Sequence, residues 1–327
     1  MCRREKQKMS KKPLTRDEQF LAKAAGDDVP MPKPLTRVQE FLERIVERLS
    51  GSVTEETLIN AIAPLNASIA QLSRETIQFR HGKGTFTATA TGTNVVWQYG
   101  GQQVQNNKCT FDVKSDNGLI CMDFDSITSL SITNDTALKV CLSDLGGKIT
   151  NWLSLDNCSN ITGDLSDLGG KITSSLNLNS YSNITGDLSD LGGKITSSLN
   201  LNNCSNITGD LSDLGGKITS SLNLYNCSNI TGDLSDLGGK ITNLLSLYNC
   251  SNITGVYYGT KYPKYVNISK TSVTPADMDA NLINFAASGV TSGTFTATAM
   301  KRTAASDDAV ATLVANGWTV SGLTKEG

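Results

Sequence analysis

Pairs of aspartates three residues apart recur along this 327-residue sequence and are the first candidates for chemistry. The pairs are Asp164 and Asp167, Asp187 and Asp190, Asp210 and Asp213, and Asp233 and Asp236. Two carboxylates divide the roles of acid and base only where their surroundings differ, and these surroundings repeat almost letter for letter. The spacing also lacks the GGxGxDxUx pattern of calcium-binding β-rolls. We therefore expect solvated turn aspartates.

Histidine and cysteine offer no alternative centre. The single histidine, His81, lies outside the repeated part, so a Ser-His-Asp arrangement would have to be built across domains. Eight cysteines without CxxC spacing disfavour a zinc site and a disulfide scaffold. The sequence therefore predicts no catalytic residue, metal or cofactor, and a protein that is not an enzyme.

Composition excludes some partners. Hydrophobic residues make up 38% of the chain, charged residues 18%, and the formal net charge is -2, so no bulk affinity for nucleic acid or membranes is expected. The basic amino terminus lacks the apolar core of a secretory signal, no run is long enough to span a bilayer, and Met9 is an alternative start.

The aspartates are carried by a 23-residue repeat whose five copies begin at Leu142, Leu165, Leu188, Leu211 and Leu234. One unit cannot bury its own apolar residues, so stacking into a solenoid is predicted. A short strand is expected at each LxL step, with leucines, isoleucines and the repeated cysteines inward. A decayed copy is expected from Leu119 to Cys141, with Leu119, Met122, Leu130, Ile132 and Leu138 in apolar phase.

The repeat carries a family resemblance. The segment LNLNNCSNITG, Leu199 to Gly209, resembles a leucine-rich repeat, with cysteine where that family has Asn or Cys. The resemblance covers residues 119–255 and implies an α/β-type leucine-rich-repeat solenoid of short parallel strands. The GDLSDLGG stretch departs from the usual convex-side sequence. Asparagines in N-x-S/T triplets are interpreted as turn residues: Asn157, Asn160, Asn183, Asn206 and Asn229.

Two different segments precede the repeats. Residues 1–50 contain two PLTR motifs, at Pro13 and Pro34, each predicted to start a short capped helix; a disordered tail is the alternative. Residues 51–75 carry an apolar stripe interrupted by Pro64, predicted to be a helical or coiled-coil segment for self-association or for packing on the next domain. Residues 76–118 predict a small β unit that caps the stack, with Trp97 and Tyr99 in its core.

The carboxy-terminal residues 256–327 predict a βαβαβ cap. Thr274 with Pro275 starts one helix that stops at Gly289, and Ser306 starts another that stops at Gly317. This block looks like the ending of repeat proteins of gut bacteria and their phages. The PLTR-x3-FL motif is similar to amino-terminal segments of phage tail-fibre and other virion proteins, which implies attachment to other virion proteins through residues 13–50 and a homotrimer through residues 54–75.

Variable outward positions of the strands are the candidate ligand-binding residues. They are Trp152, Asp156, Asn179, Asn202, Tyr225, Leu244 and Tyr248. Serines and asparagines flanked by aromatic residues suit a glycan, and Trp152, Tyr225 and Tyr248 are each expected to stack on a sugar ring. The alternative is recent duplication without any ligand.

The preferred function is a non-enzymatic tail-fibre or receptor-binding component of a virion that contacts a host surface protein or glycan. A bacterial leucine-rich-repeat interaction scaffold, cytoplasmic or associated with the cell surface, is the alternative. A polysaccharide-cleaving fibre is disfavoured because the carboxylate pairs are identical.

Overall fold

The computed structural model describes Ala63 and residues 74–326, apart from Ser159 and residues 180–182. The chain divides into two units, Met1–Arg74 and Glu75–Gly327. The predicted helices of residues 1–50 lie outside the described residues. So does the coiled-coil segment of residues 51–75, apart from Ala63, Arg74 and Glu75.

The second unit is built mainly from parallel-rich sheets, and three α-helices lie between Arg74 and Glu326. Its first strands are β1 (Glu75–His81), β2 (Gly84–Thr93), β3 (Val96–Tyr99), β4 (Gln102–Gln105), β5 (Lys108–Val113), β6 (Gly118–Phe124), β7 (Ser126–Ser131) and β8 (Leu138–Cys141). The repeats contain α1 (Leu142–Leu145), β9 (Trp152–Ser154), β10 (Asn160–Asp164), β11 (Ser175–Asn177), β12 (Ile184–Thr185), β13 (Ser198–Asn200), β14 (Gly209–Asp210), β15 (Ser221–Asn223), β16 (Ile230–Asp233), β17 (Leu244–Ser246) and β18 (Asn252–Thr254). The end of the chain contains β19 (Tyr265–Asn267), α2 (Pro275–Ala287), β20 (Thr294–Arg302), α3 (Asp307–Ala315) and β21 (Thr319–Lys325).

An 11-stranded sheet, here called the main sheet, runs through the unit in the order β21-β20-β19-β17-β15-β13-β11-β9-β7-β2-β5. Strands of successive repeats pair in parallel one copy apart, so Leu176 lies opposite Leu199, and Leu199 opposite Leu222. All three leucines are buried. These LxL strands therefore pair in parallel with their leucines buried, which is compatible with the predicted solenoid.

The repeated cysteines Cys158, Cys204, Cys227 and Cys250 are buried, as predicted. The thiol of Cys204 donates to the carbonyl oxygen of Leu178 in the preceding coil at 3.1 Å, and the thiol of Cys227 donates to that of Leu201 at 3.0 Å. Burial raises the pKa of the Cys250 thiol to about 12, so this thiol stays protonated. These cysteines therefore serve packing and link neighbouring coils.

The outer turns, whose conformation the sequence left open, are short 3₁₀ helices at the LSDL steps. They span Leu165–Leu168, Leu188–Leu191, Leu211–Leu214 and Leu234–Leu237. Each is preceded by an aspartate N-cap and holds a second aspartate at its third position, which together form a capping box. The two leucines of each turn point into the core.

The amino-terminal part of the unit is antiparallel. β1 pairs with β6, and β2 pairs with β5 and β7. As predicted, Trp97 lies in the core, fully buried, with Nε1 donating to the carbonyl oxygen of Asn106 at 3.0 Å. Tyr99 is half-buried against Phe111.

One part of the decayed copy differs from the expectation. Leu119 is 40% exposed because β6 is an antiparallel strand whose side chains alternate between the core and solvent. The repeat phase is present from Leu130, which pairs in parallel register with Leu153. β7 therefore joins the antiparallel part to the stack.

The predicted order strand, helix, strand, helix, strand is confirmed after the last copy. The Thr274 hydroxyl accepts from the backbone N–H of Asp277, and Pro275 is the first residue of α2. β19, β20 and β21 continue the main sheet in parallel. None of the helices in the described part of the chain is long and apolar enough to cross a membrane.

Candidate ligand-binding face

The outward side of the main sheet carries three rows of side chains, which we call the first, second and third rows. The first row contains Trp152, Ser175, Ser198, Ser221, Leu244 and Tyr265, each opposite the next in the strand register. The second row contains Ser154, Asn177, Asn200, Asn223, Ser246 and Asn267. The third row follows two residues later and contains Asp156, Asn179, Asn202, Tyr225 and Tyr248; Ser269 occupies the equivalent position but is buried.

A depression of about 350 Å³ lies on the first and second rows. Trp152, 39% exposed, lies at one end and half-buried Leu244 at the other. The remaining lining residues are Ser175, Leu176, Asn177, Ser198, Leu199, Asn200, Ser221 and Asn223. Four strand steps separate the two ends, which at about 4.8 Å per step makes a shallow trough about 19 Å long.

The asparagines on the floor of this trough share one geometry. Oδ1 of Asn177 accepts the backbone N–H of Asn179 at 3.2 Å, and Oδ1 of Asn200 accepts that of Asn202 at the same distance. Asn223 repeats the contact with Tyr225. In each asparagine the backbone N–H binds Oδ1, so the Nδ2 group is the donor that faces outward. None of these three Nδ2 groups has an acceptor among the described residues.

The two sequence-predicted residues of the first row, Trp152 and Leu244, lie in the trough. The other five, all in the third row, do not line it. Asp156 is engaged by the side-chain amide of Asn179 at 2.9 Å. Oδ1 of Asn202 is a buried oxygen without a hydrogen-bond partner among the described residues.

The two tyrosines that were expected to stack on sugar rings contact other side chains in the structure. The rings of Tyr225 and Tyr248 stack on each other with centroids 4.4 Å apart and planes 10° apart. Nζ of Lys270 lies 4.9 Å from the Tyr248 centroid, so a ring and a cation hold this side chain. Trp152 is the exposed aromatic residue that lines the trough.

The sequence analysis expected outward serines and asparagines to suit a glycan, but it did not include the second-row asparagines among the candidate ligand-binding residues, because they are identical in successive copies. The alternation of the LNL step places each of them outward, between two inward leucines. Tyr265 was also missed, because it lies after the regular copies. The register places it beside Leu244, and it is 50% exposed.

The paired aspartates are engaged in capping. Oδ1 of Asp187 accepts the backbone N–H of Ser189 at 3.0 Å, and its other oxygen accepts the Thr208 hydroxyl at 2.9 Å. Asp190 accepts the backbone N–H of Asp187 at 2.8 Å. The N–H of Ser189 holds the pKa of Asp187 below its usual value, and the N–H of Ser212 does the same for Asp210. For Asp164 the hydroxyl of Ser166 has the largest effect and its N–H the next largest, and both lower the pKa. All four pairs are therefore part of the capping boxes of the outer turns.

His81 contacts a carboxylate in the core. Its Nε2 lies 2.9 Å from Oδ1 of Asp135, and its Nδ1 contacts the carbonyl oxygen of Gly82. Asp135 also accepts the backbone N–H groups of Ala137 and Leu138. Both residues are buried, so the pair ties β1 to the turn before β8. Within the described part of the chain, no three His, Cys, Asp or Glu residues are grouped as metal ligands would be.

No protein family, curated protein or solved structure matches this chain.

Proposed function

We propose that the chain is a non-enzymatic binding protein whose trough receives a glycan. The observation that carries the proposal is the row of outward amide donors on Asn177, Asn200 and Asn223, bounded by the exposed ring of Trp152. Sugar hydroxyls accept hydrogen bonds from such amides, and sugar ring faces stack on indole.

The repeats build this surface as a leucine-rich-repeat solenoid. Inward leucines at the LxL step and a buried cysteine at the LxLxxC position support that assignment. So does the parallel pairing of equivalent residues one copy apart. The short 3₁₀ turns then form its convex side.

We place the protein in a virion, as a tail-fibre or receptor-binding component that contacts a host surface. The support is the PLTR-x3-FL motif and the carboxy-terminal block, which resemble phage-encoded proteins. In this proposal residues 13–50 attach to other virion proteins and residues 54–75 form a homotrimer.

Glycan recognition is tested with the full chain on a glycan array and by binding to bacterial cells. Trp152→Ala removes the exposed ring, and we expect about tenfold weaker binding, which corresponds to about 1.4 kcal/mol. Tyr258→Ala is the matched control, because Tyr258 is 58% exposed and lies outside the trough.

A second variant, Asn200→Ala, removes one outward amide at the centre of the trough. It should weaken the same glycans by about 0.5–1.5 kcal/mol without changing the circular dichroism spectrum. The glycan proposal is wrong if wild-type protein binds no glycan, or if Trp152→Ala and Tyr258→Ala behave alike. Light scattering with and without residues 1–75 tests the trimer, and a monomer in both cases would contradict it.

A further inference from the structure

The uncharged character of the strand face limits which glycan the trough can take. No residue of the first or second row is charged, and no charged side chain lines the trough within the described part of the chain. The same register continues the rows onto β7, β20 and β21, where the equivalent residues are also uncharged: Ser129, Ser131, Thr294, Thr296, Thr319 and Ser321. A charged ligand would therefore lose water here without gaining an ion pair.

The charged side chains of a coil lie away from this floor. Asp187 and Asp190 form the capping box of an outer turn. Cε of Lys194 lies 3.6 Å from where a Cβ on Gly192 would be, and Gly192 ends the same turn. In the third row, Asp156 is engaged by the side-chain amide of an asparagine in the next coil. None of these charged groups lines the trough.

The polar groups on the floor of the trough repeat with the strands. Each central coil presents one amide and one hydroxyl, which belong to Asn177 and Ser175, Asn200 and Ser198, and Asn223 and Ser221. Equivalent groups of successive coils are about 4.8 Å apart. In an extended polysaccharide linked across the sugar ring, each sugar advances the chain by close to this distance. Every ring can therefore meet the same pair of groups.

Other polymers match the spacing or the charge less well. Carbonyl groups on one side of an extended peptide recur every two residues, about 6.6 Å, and do not keep step with donors about 4.8 Å apart. A polynucleotide carries one phosphate per nucleotide, and the two rows offer no cation to neutralise it. An acidic polysaccharide has the same disadvantage.

We infer that the ligand is a neutral, linear polysaccharide that lies along the stack with one sugar over each strand. Five strands line the trough, from β9 to β17, so the trough holds about five sugars. Trp152 stacks on the ring at one end, and half-buried Leu244 contacts the ring at the other. This inference rests on the proposed function and names the class of glycan and its direction.

The test measures how affinity depends on ligand length and charge, with the full chain. The probes are cello-, chito-, manno- and xylo-oligosaccharides of increasing length, and oligomannuronates as the acidic counterpart of the manno series. Affinity for at least one neutral series should rise with each added sugar up to about five and then level off, because five strands line the trough. It should change less than about twofold between low salt and about 1 M salt, because no ion pair is screened.

Alanine variants test whether the sugars follow the asparagines. Asn177→Ala and Asn223→Ala remove amides at opposite ends of the asparagine row, and each should weaken binding of the five-sugar ligand about three- to tenfold. Asn267→Ala is the matched control. Oδ1 of Asn267 accepts the backbone N–H of Ser269 at 3.2 Å, which is the same geometry, but Asn267 does not line the trough. Melting curves report whether each variant is folded.

Removing one copy tests the length dependence again. Deleting residues 188–210 takes away β13 and leaves four strands in the trough. Affinity should then level off one sugar earlier than in the wild type. If this variant does not fold, the alanine variants and the oligosaccharide series still decide the inference.

The outcomes separate this inference from the proposed function. The inference is wrong if no neutral series binds, if one or two sugars bind as tightly as five, or if the acidic series binds more tightly than the neutral one. Equal effects of Asn177→Ala and Asn267→Ala would also overturn it. In each of these cases, weaker binding of an arrayed glycan by Trp152→Ala would leave the proposed function standing. If neither an oligosaccharide nor an arrayed glycan binds, both are wrong.

Discussion

The regular repeats and the carboxy-terminal block share one sheet but build it differently. In the repeats 23 residues separate paired strand positions, as between Leu199 and Leu222. Beyond them 21 residues separate Leu244 from Tyr265, and 29 separate Tyr265 from Thr294. The outward face of the main sheet continues beyond the last repeat. It is therefore extended by the pairing register of the strands and does not require a 23-residue spacing.

The two regions also differ in what fills their interiors. The repeats bury rows of identical leucines, isoleucines and cysteines. The carboxy-terminal block buries an aromatic cluster in which Phe285 contacts Tyr257, Tyr262, Phe295 and Trp318. A repeated core distributes stability over equivalent coils, whereas a cluster concentrates it at a few side chains.

The largest expected effect is at the aromatic cluster. Phe285→Ala should lower the free energy of unfolding by about 3–5 kcal/mol, because Phe285 is 1% exposed and meets four rings. Leu199→Ala in the repeats should cost about 2–5 kcal/mol. Urea denaturation followed by circular dichroism and tryptophan fluorescence measures both. A smaller loss for Phe285→Ala than for Leu199→Ala would contradict the contrast between cluster and row.

Two glycines, one in each region, differ in how closely the surrounding backbone approaches them. Gly209 has φ +112°, and a Cβ there would lie 2.7 Å from the backbone nitrogen of Leu188 in the preceding coil. Gly289 has φ +72° with open space around it. Gly209→Ala should therefore cost about 1–3 kcal/mol, and Gly289→Ala about 1 kcal/mol. Equal melting temperatures for the two variants would show that close approach between coils is unimportant.

Acid should weaken both regions through different aspartates. In the repeats, hydrogen bonds from the serine N–H groups lower the pKa values of Asp187 and Asp210 from 3.8. In the carboxy-terminal block, burial acts to raise the pKa of Asp279, but bonds from Ser306 and Thr303 outweigh it. A folded pKa below the unfolded value means that this stabilisation is present above about pH 4 and is lost as the pH falls through the folded pKa.

The urea midpoint should therefore fall between pH 5 and pH 2.5. Asp187→Asn/Asp210→Asn should reduce that fall, because an amide keeps an acceptor for the serine N–H but does not titrate. At pH 7, replacing one N-cap aspartate with alanine should lower the free energy of unfolding by about 0.5–2 kcal/mol. An unchanged pH dependence in the asparagine double variant would locate the acid sensitivity outside the repeats.

The smallest expected effect is removal of one whole copy. Deleting residues 188–210 joins Asp187 to Leu211 and so restores the repeat sequence across the junction. The shortened chain should keep its circular dichroism spectrum and a single cooperative transition, with modest loss of stability from one missing interface between coils. Deleting residues 266–294, which form the 29-residue coil, should unfold the carboxy-terminal block, because α2 and Phe285 are removed with it. Similar behaviour of the two deletions would remove the distinction between the regions.

The sequence by itself determined the periodic part of this protein. The 23-residue apolar pattern placed the inward leucines, isoleucines and cysteines, because a unit this short buries them only against a neighbouring copy. Local capping signals placed α2, since Thr274 with Pro275 at its start and Gly289 after its last turn act within a few residues. α3 begins at Asp307 as expected, but the Ser306 hydroxyl donates to Asp279 and does not cap the helix. The same local signals marked the paired aspartates as turn residues.

The tertiary structure decided what depends on the register between strands. It turned Tyr225 and Tyr248 onto each other, because stacking places equivalent side chains of successive coils one above the other. It exposed Leu119 by pairing β6 antiparallel, and it added Tyr265 to the first row through a coil of different length. The trough on the strand face, with Trp152 at one end and Leu244 at the other, is also a feature of the folded stack, because its lining comes from the packing of five neighbouring strands.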